Sequence, residues 1–411
     1  MTGPALPGAG RDLAELDENL RQLKFRDPDK ARQLARRLEE LMAEILPARE
    51  RKVLTVMHVC GSHEQAIAKF GLRAILPRSL DLIMGPGCPV CVTDMPEVDE
   101  AVLLARHGKH IATYGDMLRV PGTWLSLGDA QAEGARVHVV YGITQAIEIA
   151  RQVAPAELVF FASGFETTAV TTAAALLAEK DLPANFSILS AHKYIPPAME
   201  IVCRMPGSRV EGYLAAGHAA TITGWGLFEP IAARHQVPVV VAGFEPLDIL
   251  AALVRLVELI RDGEAKVENY YPRCVSRDGN RVALEQLQKV FELRDGRWRG
   301  IAEIPDGNLR LRSEFAAVDA RKRFSIDSSE LGAGGPRPEA AGCICGDIMA
   351  GMKSPFDCAL FGKSCRPEAP VGACMVSNEG TCKIWHLYGG RPDLQMPREV
   401  SAASAEPEVR I

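Results

Sequence analysis

Residues 53–64 read Val-Leu-Thr-Val-Met-His-Val-Cys-Gly-Ser-His-Glu, an apolar run followed by a turn that contains glycine. A short apolar run bounded by turn residues is typical of a buried strand, and a helix is expected after the turn. Eight such runs alternate with helical segments, which is the pattern of parallel α/β sheets. The predicted strands are Val53–His58, Leu80–Met84, His110–Thr113, Val137–Val140, Leu158–Ala162, Phe186–Ser190, Val210–Ala215 and Val237–Val241.

Two of the turns are alike and suggest a duplicated domain. Residues 60–64 (Cys-Gly-Ser-His-Glu) follow the first predicted strand, and residues 163–168 (Ser-Gly-Phe-Glu-Thr-Thr) follow the fifth. A repeat of roughly a hundred residues is too long for a solenoid and favours two similar parallel-sheet α/β domains. Ligands of open α/β sheets bind beyond the carboxyl ends of the strands, so both turns are expected to face a common cleft.

Length and periodicity divide the chain further. A single core stops growing near ~250–300 residues, so 411 residues predict two or three domains. Leucines at spacings of three and four predict two helices before residue 46, separated at Asp27-Pro28. The predicted divisions are 11–50 for N-terminal helices, 51–152 and 153–265 for the α/β domains, 266–390 for a cysteine-rich C-terminal domain, and 391–411 for a disordered tail.

Charge and hydropathy narrow the range of functions. The 47 basic and 52 acidic residues are well mixed, so no broad field attracts nucleic acid or an anionic membrane. The sequence shows no run of ~18 apolar residues and no signal peptide, so a cytoplasmic protein is expected. In that reducing compartment eleven cysteines favour metal binding or redox chemistry over structural disulfides.

More than half of the cysteines lie in one glycine-rich C-terminal segment. Such loops allow thiolates to converge, and a [4Fe–4S] cluster requires four of them. Tetrahedral zinc is the alternative, although only Cys343-Ile344-Cys345 comes near the usual Cys-x2–4-Cys spacing, and the absence of any metal is the third. Two spare thiols could cycle between dithiol and disulfide, or could be buried small side chains. The six are Cys343, Cys345, Cys358, Cys365, Cys374 and Cys382.

Three further cysteines lie in turns of the α/β part. Cys60 precedes a predicted helix, whose N-terminus lowers the pKa of a thiol and makes it a nucleophile or a soft-metal ligand. His63 could add a nitrogen ligand or a proton. Cys88 and Cys91 form a Cys-x-x-Cys pair in a rigid, glycine-flanked turn, typical of a redox dithiol or a metal site. For His218, in a later turn, an ordinary hydrogen-bonded role is predicted.

Five long motifs occur in a fixed order along the chain. They are residues 60–64, 85–91 (Gly-Pro-Gly-Cys-Pro-Val-Cys), 114–122 (Tyr-Gly-Asp-Met-Leu-Arg-Val-Pro-Gly), 164–168 (Gly-Phe-Glu-Thr-Thr) and 372–377 (Gly-Ala-Cys-Met-Val-Ser). Together they resemble the HypD family over roughly residues 12–390. The resemblance implies an assembly scaffold with a redox role in cyanide ligand transfer, rather than a conventional enzyme.

The resemblance also implies partners. HypD-like proteins pair with the small chaperone HypC, and on that complex an iron ion receives two cyanides and one carbon monoxide. The resulting Fe(CN)2CO moiety is then delivered to the large subunit of a [NiFe]-hydrogenase. The cyanide comes from HypE, which carries it as a thiocyanate made with HypF.

Carried onto this chain, the resemblance implies a role for each cysteine. Cys60 would hold the iron together with a cysteine of the chaperone, with His63 nearby, and Cys88 and Cys91 would line the same cleft. A rival reading is a stand-alone iron–sulfur thiol/disulfide oxidoreductase whose Cys88 and Cys91 face the substrate. The implied cluster ligands are Cys343, Cys358, Cys365 and Cys382, beside a redox pair of Cys345 and Cys374.

Overall fold

The computed structural model describes residues 25–326 and 342–390. Its strands are β1 Leu54–His58, β2 Leu80–Met84, β3 His110–Thr113, β4 Val137–Val139, β5 Leu158–Gly164, β6 Phe186–Lys193, β7 Gly212–Ala216, β8 Val239–Ala242, β9 Val267–Asn269, β10 Phe291–Trp298 and β11 Ala302–Leu311. Its α-helices are α1 Pro28–Ile45, α2 Gly61–Lys69, α3 Leu72–Ile75, α4 Pro89–Val92, α5 Met95–Arg106, α6 Leu127–Ala132, α7 Ile143–Val153, α8 Glu166–Ala178, α9 Ile195–Arg204, α10 Gly217–Thr223, α11 Glu229–His235, α12 Pro246–Asp262, α13 Arg281–Val290, α14 Ala320–Arg323, α15 Cys345–Met349, α16 Ala373–Val376 and α17 Thr381–Tyr388. Within these two ranges no helix is long and apolar enough to cross a membrane.

The strands form two sheets. The first has five parallel strands in the order β2-β1-β7-β8-β9. The second has the order β10-β11-β6-β5-β3-β4, in which β6, β5, β3 and β4 are parallel and the β10–β11 hairpin adds an antiparallel edge. The predicted class is therefore confirmed: parallel-sheet α/β units, a helix at the N-terminal side and a cysteine-rich C-terminal segment.

The sheets do not follow the predicted contiguous segments. β1 and β2 pair with β7 and β8, whereas β3 and β4 pair with β5 and β6. Each sheet thus takes strands from both 51–152 and 153–265, and the predicted boundary at residue 152 falls inside the second sheet. Residues 267–311 also belong to the sheets through β9, β10 and β11, not to a separate unit with the cysteines. Similar turns revealed similar strand ends, but they carry no information about which strands pair.

The described N-terminal helix agrees with its prediction. Asp27 caps α1 by accepting hydrogen bonds from the backbone N–H groups of Asp29 and Lys30, and Pro28 occupies the first helical position. Leu38 and Leu41 are fully buried against the first sheet and α12, and each contributes about 1.5–3 kcal/mol. The predicted helix before Asp27 and the predicted tail 391–411 lie outside the described residues.

Strand β6 extends beyond its predicted end at Ser190 and includes His192 and Lys193. The Lys193 ammonium is fully buried, yet it donates hydrogen bonds to Glu97 Oε2 at 2.7 Å and to Asn308 Oδ1 at 3.0 Å. A buried charge is tolerated when it is paired and hydrogen-bonded. The apolar pattern ended the predicted strand too early, because the partners of these polar residues are distant along the chain.

Candidate functional site

The Cys60 thiol lies where β1 passes into α2. Cys60 is the N-cap residue of α2 and is 1% exposed. Burial raises the pKa of this thiol to about 12, the Glu379 carboxylate adds to the shift, and backbone N–H groups at the start of α2 oppose it. Its Sγ is 3.8 Å from Nδ1 of His218. The prediction that the helix N-terminus acidifies this thiol is therefore wrong, because desolvation outweighs the N–H groups.

Two loops enclose the Cys60 turn (residues 59–62). On one side, the Gly61 N–H donates to Gly87 O at 3.2 Å, and a Cβ on Gly87 would lie 2.2 Å from the Val59 carbonyl carbon. On the other side, a Cβ on Gly61 would lie 2.3 Å from Glu379 Cβ. Both glycines are needed for close approach, so the 85–91 motif and the C-terminal segment pack directly on Cys60.

Cys88 and Cys91 form a disulfide, with their Cα atoms 5.2 Å apart. Both residues are fully buried. Cys88 is the N-cap residue of α4, and Cys91 lies within that helix. Helix α4 follows β2, which pairs with β1 in the first sheet. The 85–91 motif therefore reaches the same strand ends as Cys60.

His218, not His63, is the imidazole that contacts the Cys60 thiol. His63 Nε2 hydrogen-bonds to Gly243 O at 2.9 Å, and burial lowers the pKa of His63 to about 3. The Phe244 ring lies between the two histidines, 4.7 Å from the His63 ring and 5.2 Å from the His218 ring. His63 is part of the wall of the cleft. The sequence indicated that His218 could line the cleft but favoured an ordinary hydrogen-bonded role, because a lone histidine after a strand carries no pattern.

Two carboxylates complete the cleft, the buried Glu166 and the half-buried Glu379. Glu166 Oε1 accepts the Ile195 N–H at 2.8 Å, Oε2 has no partner within the described ranges, and burial raises the pKa of Glu166 to about 7. Glu379 accepts a hydrogen bond from Ser62 Oγ at 3.2 Å, and burial raises its pKa as well. Burial lowers the pKa of His218, and both carboxylates oppose that shift. The turns at 60–64 and 163–168 are thus brought to one cleft.

A buried ion pair joins this cleft to the C-terminal segment. Glu64 accepts hydrogen bonds from His58 Nε2 at 2.7 Å, from Arg73 Nη2 at 2.6 Å and from Trp385 Nε1 at 2.6 Å. Burial would raise the pKa of Glu64, but Arg73 and His58 hold it well below its usual range. Since Trp385 lies on α17 with Cys382, one carboxylate ties α2 to the helix of a C-terminal cysteine.

Five of the six C-terminal thiols surround one cavity, and no charged side chain among residues 25–326 and 342–390 lines it. Its lining residues are Cys343, Cys345, Cys358, Cys365, Cys382, Ile348, Leu360, Phe361, Gly372 and Met375. A Cβ on Gly372 would lie 2.7 Å from Cys343 Sγ, so glycine is required there. The sixth, Cys374, is not among the lining residues; its backbone N–H donates to Cys345 Sγ at 3.4 Å.

The donor set of this cavity consists of thiols. In the parts of the chain that the structure describes, no three His, Cys, Asp or Glu side chains converge to hold a single metal ion. The thiols instead surround an apolar space, and an iron–sulfur cluster takes four of them at separate iron atoms. All four predicted cluster ligands line the cavity, while the predicted pair Cys345 and Cys374 are neighbours. The division into ligands and redox pair stays a prediction.

Comparison with known proteins gives consistent matches over nearly the whole chain. A family model described as "HypD: Hydrogenase formation hypA family" matches residues 29–389. A putative hydrogenase expression/formation protein of Methanocaldococcus jannaschii is 44% identical over 336 residues, covering 82% of this chain and 92% of that relative. The hydrogenase maturation factor HypD of Azotobacter vinelandii is 41% identical, with coverage of 89% and 96%. That of Cupriavidus necator is 38% identical, with coverage of 91% and 98%.

Proposed function

Because the chain belongs to the HypD family and is a hydrogenase maturation factor, we propose that it is the scaffold on which the Fe(CN)2CO moiety is assembled. The proposed partners are a HypC-type chaperone bound to it, HypE as cyanide donor with HypF upstream, and indirectly the hydrogenase large subunit. The iron is cargo, which Cys60 holds with a thiolate of the chaperone.

The observation that carries this proposal is the setting of Cys60. Its thiol is buried at a strand end, next to an imidazole and two carboxylates. A thiolate is a soft ligand, which suits iron that carries cyanide and carbon monoxide. The surrounding loops leave this sulfur out of reach of bulk solvent, so the cargo is protected while it is incomplete.

The residues of the cleft can move the proton that iron binding displaces. The Cys60 thiol is protonated at neutral pH, since burial raises its pKa to about 12. Metal binding requires a thiolate and releases this proton. Nδ1 of His218, 3.8 Å from the sulfur, is placed to accept it, and Glu166 and Glu379 favour the resulting imidazolium.

The Cys88–Cys91 pair supports the redox part of the proposal. Release of cyanide from a thiocyanate breaks an S–C bond, leaves a thiol and consumes two electrons. Oxidation of the dithiol of Cys88 and Cys91 to the disulfide provides two electrons and two protons. The disulfide must then be reduced before the second cyanide. Helix α16, which carries Cys374, packs on α4, which carries Cys91, so the C-terminal segment contacts the helix of this pair.

The C-terminal cavity would hold the electron-supplying group. A [4Fe–4S] cluster supplies electrons one at a time when bound. Cys343, Cys358, Cys365 and Cys382 are the proposed ligands on the basis of the family resemblance, and all four line the cavity, as Cys345 also does. Cys345 and Cys374 are the proposed redox pair, in which two thiols can collect the two electrons that disulfide chemistry requires.

The stand-alone oxidoreductase is the second candidate, and one observation weighs against it. An attacking thiol must reach the sulfur of its substrate, and rates of exchange depend on access. Cys88 and Cys91 are both fully buried, so a protein disulfide cannot reach them without a rearrangement. The same burial suits a pair that serves cargo inside the cleft.

The test is assembly of the moiety on the complex. The chain is produced anaerobically with a HypC-type chaperone, HypE and HypF, and infrared spectra are recorded for iron-bound cyanide and carbon monoxide. Cys60→Ala is expected to abolish these bands. Cys203→Ala changes a cysteine whose Sγ lies at hydrogen-bond distance, 3.3 Å, from Tyr213 Oη; it is the matched control and should keep the bands. Bands of full intensity in Cys60→Ala would overturn the scaffold role, and intact dithiol reduction in the same variant would favour the oxidoreductase.

A further inference from the structure

Four aromatic side chains of the C-terminal segment lie together and are partly exposed. Phe356, in the short 3-10 helix Pro355–Asp357, is 48% exposed. Its ring centroid lies 5.6 Å from that of Phe361 and 5.3 Å from that of Trp385 on α17. Tyr388, three residues after Trp385 and therefore on the same side of α17, is 46% exposed. We call these four residues the aromatic patch, and exposed apolar groups of this kind mark interaction sites.

The aromatic patch adjoins the cavity that five C-terminal thiols line. Phe361 of the patch and the neighbouring Leu360 line this cavity, and both side chains are half-buried. Cys358, which lies next to them in the chain, lines the cavity and is half-buried as well. At this place a single layer of side chains therefore separates the cavity from solvent.

The loop that carries Phe356 and Phe361 is positively charged. Lys353, Lys363 and Arg366 are exposed, and within residues 25–326 and 342–390 none of them forms an ion pair with a carboxylate. Asp357 is the one acidic residue between positions 353 and 366, and its Oδ2 accepts hydrogen bonds from the N–H and Oγ of Ser354. Three cations and one carboxylate leave two positive charges beside the patch.

The proposed function requires electrons that must come from outside the chain. Release of each cyanide consumes two electrons, and the Cys88–Cys91 disulfide must be reduced before the next release. Electron transfer slows steeply as the distance between two redox centres grows, so a protein donor has to dock where the cavity lies nearest to the surface. The aromatic patch is such a place.

The composition of this surface fits one class of donor. Electron-transfer proteins associate through small, short-lived interfaces. An interface of this kind has an apolar centre and a polar rim, and opposite charges on the two partners guide their encounter. Here the aromatic rings form the centre, and Lys353, Lys363 and Arg366 supply a basic rim.

We propose that the aromatic patch is the docking site of a small acidic electron-carrier protein that holds a flavin or an iron–sulfur centre. The inference rests on the proposed function, because that function creates the need for electrons. Two reduced carriers dock one after the other, and each is oxidised by one electron. The two electrons, together with two protons from water, break one S–S bond of the chain and give two thiols.

The first test is binding of the full chain, prepared without oxygen, to two acidic probes, a bacterial [2Fe–2S] ferredoxin and a flavodoxin. Calorimetric titration at low salt should show binding of at least one probe, and added salt should weaken it because exposed charges are screened. Lys363→Glu/Arg366→Glu should weaken binding at low salt by about tenfold or more. The control Lys289→Glu/Lys322→Glu makes the same change of charge at exposed positions of α13 and α14 and should stay within about twofold of wild type.

The apolar centre is tested separately with Phe356→Ala. This change should weaken binding by about tenfold at low and at high salt, because apolar contacts are not screened. Leu177→Ala, which changes a side chain on α8 that is 42% exposed, is the matched control and should bind like wild type.

Rates of reduction show whether the bound probe delivers electrons. In stopped-flow absorption, the reduced probe should reduce wild type about tenfold faster than Lys363→Glu/Arg366→Glu. Dithionite, a small reductant that needs no docking site, should reduce both chains equally.

Three outcomes would overturn the proposal: a wild type that binds neither probe, equal binding by the two charge-reversal variants, or a bound probe that transfers no electron. In each case the patch belongs to another partner or to a second copy of this chain. None of these measurements uses the chaperone or the iron cargo, so failure of Fe(CN)2CO assembly leaves them intact. Assembly driven by dithionite in a chain that binds neither probe would remove this inference and leave the proposed function standing.

Discussion

The thiols at the strand ends and the thiols of the C-terminal segment are positioned in different ways. Cys60 and Cys88 follow β1 and β2, two neighbouring strands whose register pairs His58 with Met84. The C-terminal cysteines lie instead on loops and on α15, α16 and α17, which are short helices around an apolar cavity. The hydrogen-bonded strands of a sheet position the first set, whereas turns, short helices and side-chain contacts position the second.

This difference indicates which site is formed without its metal. A strand end is held by the whole sheet, so the Cys60 cleft is expected to persist in the empty protein. Short helices are marginal by themselves, and metal-thiolate bonds commonly supply folding free energy to such segments. The C-terminal segment is therefore expected to depend on the group in its cavity, and three predictions test this comparison.

Removal of a proposed cluster ligand is expected to have the largest effect. Wild-type protein purified without oxygen should contain about four irons and four sulfides, and Cys358→Ala should contain neither. Because the cluster would hold the C-terminal loops together, limited proteolysis should cut residues 342–390 first in the variant. Metal and sulfide analysis with an absorption spectrum measures the first outcome, and mass spectrometry of the fragments measures the second.

The control is Cys274→Ala, which changes an exposed cysteine that does not line the cavity and should keep all iron. Stoichiometric zinc without sulfide in the wild type would contradict the cluster and require the segment to be reread as a structural zinc site. Protease resistance in Cys358→Ala equal to that of wild type would contradict the proposed difference between the two regions, because the C-terminal segment would then stay folded without the metal.

A pH-dependent effect of intermediate size is expected at the Cys60 cleft. Burial raises the pKa of Glu166 from 4.5 to about 7, so the native state keeps this proton where the unfolded chain has lost it. The contribution of Glu166 to the free energy of unfolding is therefore fully present below pH 4.5. It is lost as the pH rises from 4.5 through 7, by up to about 3 kcal/mol. Subtracting the denaturation curves of Glu166→Gln from those of wild type across this range isolates the change.

Glu148→Gln, an exposed change on α7, is the matched control and should show no such pH-dependent difference. A difference between wild type and Glu166→Gln that stays constant from pH 4.5 to pH 7 would mean that the carboxylate ionises normally, and the cleft would not be as closed in solution as the structure describes.

Sequence reasoning was strongest for the strands and weakest for their pairing. The bounds of β2 and β3 are as predicted, because an apolar run between turn residues is a local signal. The exchange of strands between the sheets depends on contacts between residues 54–58 and 212–214, which no local pattern contains. The shared cleft was predictable because strand ends are a local signal. The domain boundaries were not, because they depend on which strands pair.

The cysteines of the site were all identified from the sequence, whereas their charged neighbours were not. A run of cysteines is conspicuous, but His218 and Glu379 each stand alone in their segments. Their relevance comes from folding, which brings His218 to 3.8 Å from Cys60 and places Glu379 against Gly61. Gly217, which precedes His218 and packs on Ala242 O, was a weak signal of a crowded strand end.

The smallest effect is expected at the contact that joins the two regions. Trp385→Phe keeps an aromatic ring beside the Arg73 guanidinium, which lies 5.4 Å from the tryptophan ring, but removes the N–H that donates to Glu64 at 2.6 Å. Loss of one donor to a buried acceptor costs about 1–3 kcal/mol. Tyr388→Phe, an exposed change on the same helix, should cost almost nothing. Chemical denaturation measures both.

The informative experiment combines Trp385→Phe with Cys358→Ala. If the C-terminal segment loses its order with its metal, α17 no longer presents Trp385 to Glu64, and the cost of the tryptophan change should vanish in the double variant. Costs that add would instead show that α17 stays docked on α2 without the metal, because independent sites give additive effects. Since Glu64 lies one turn into the helix that Cys60 caps, non-additivity would show that the state of the C-terminal cavity is felt at the Cys60 turn.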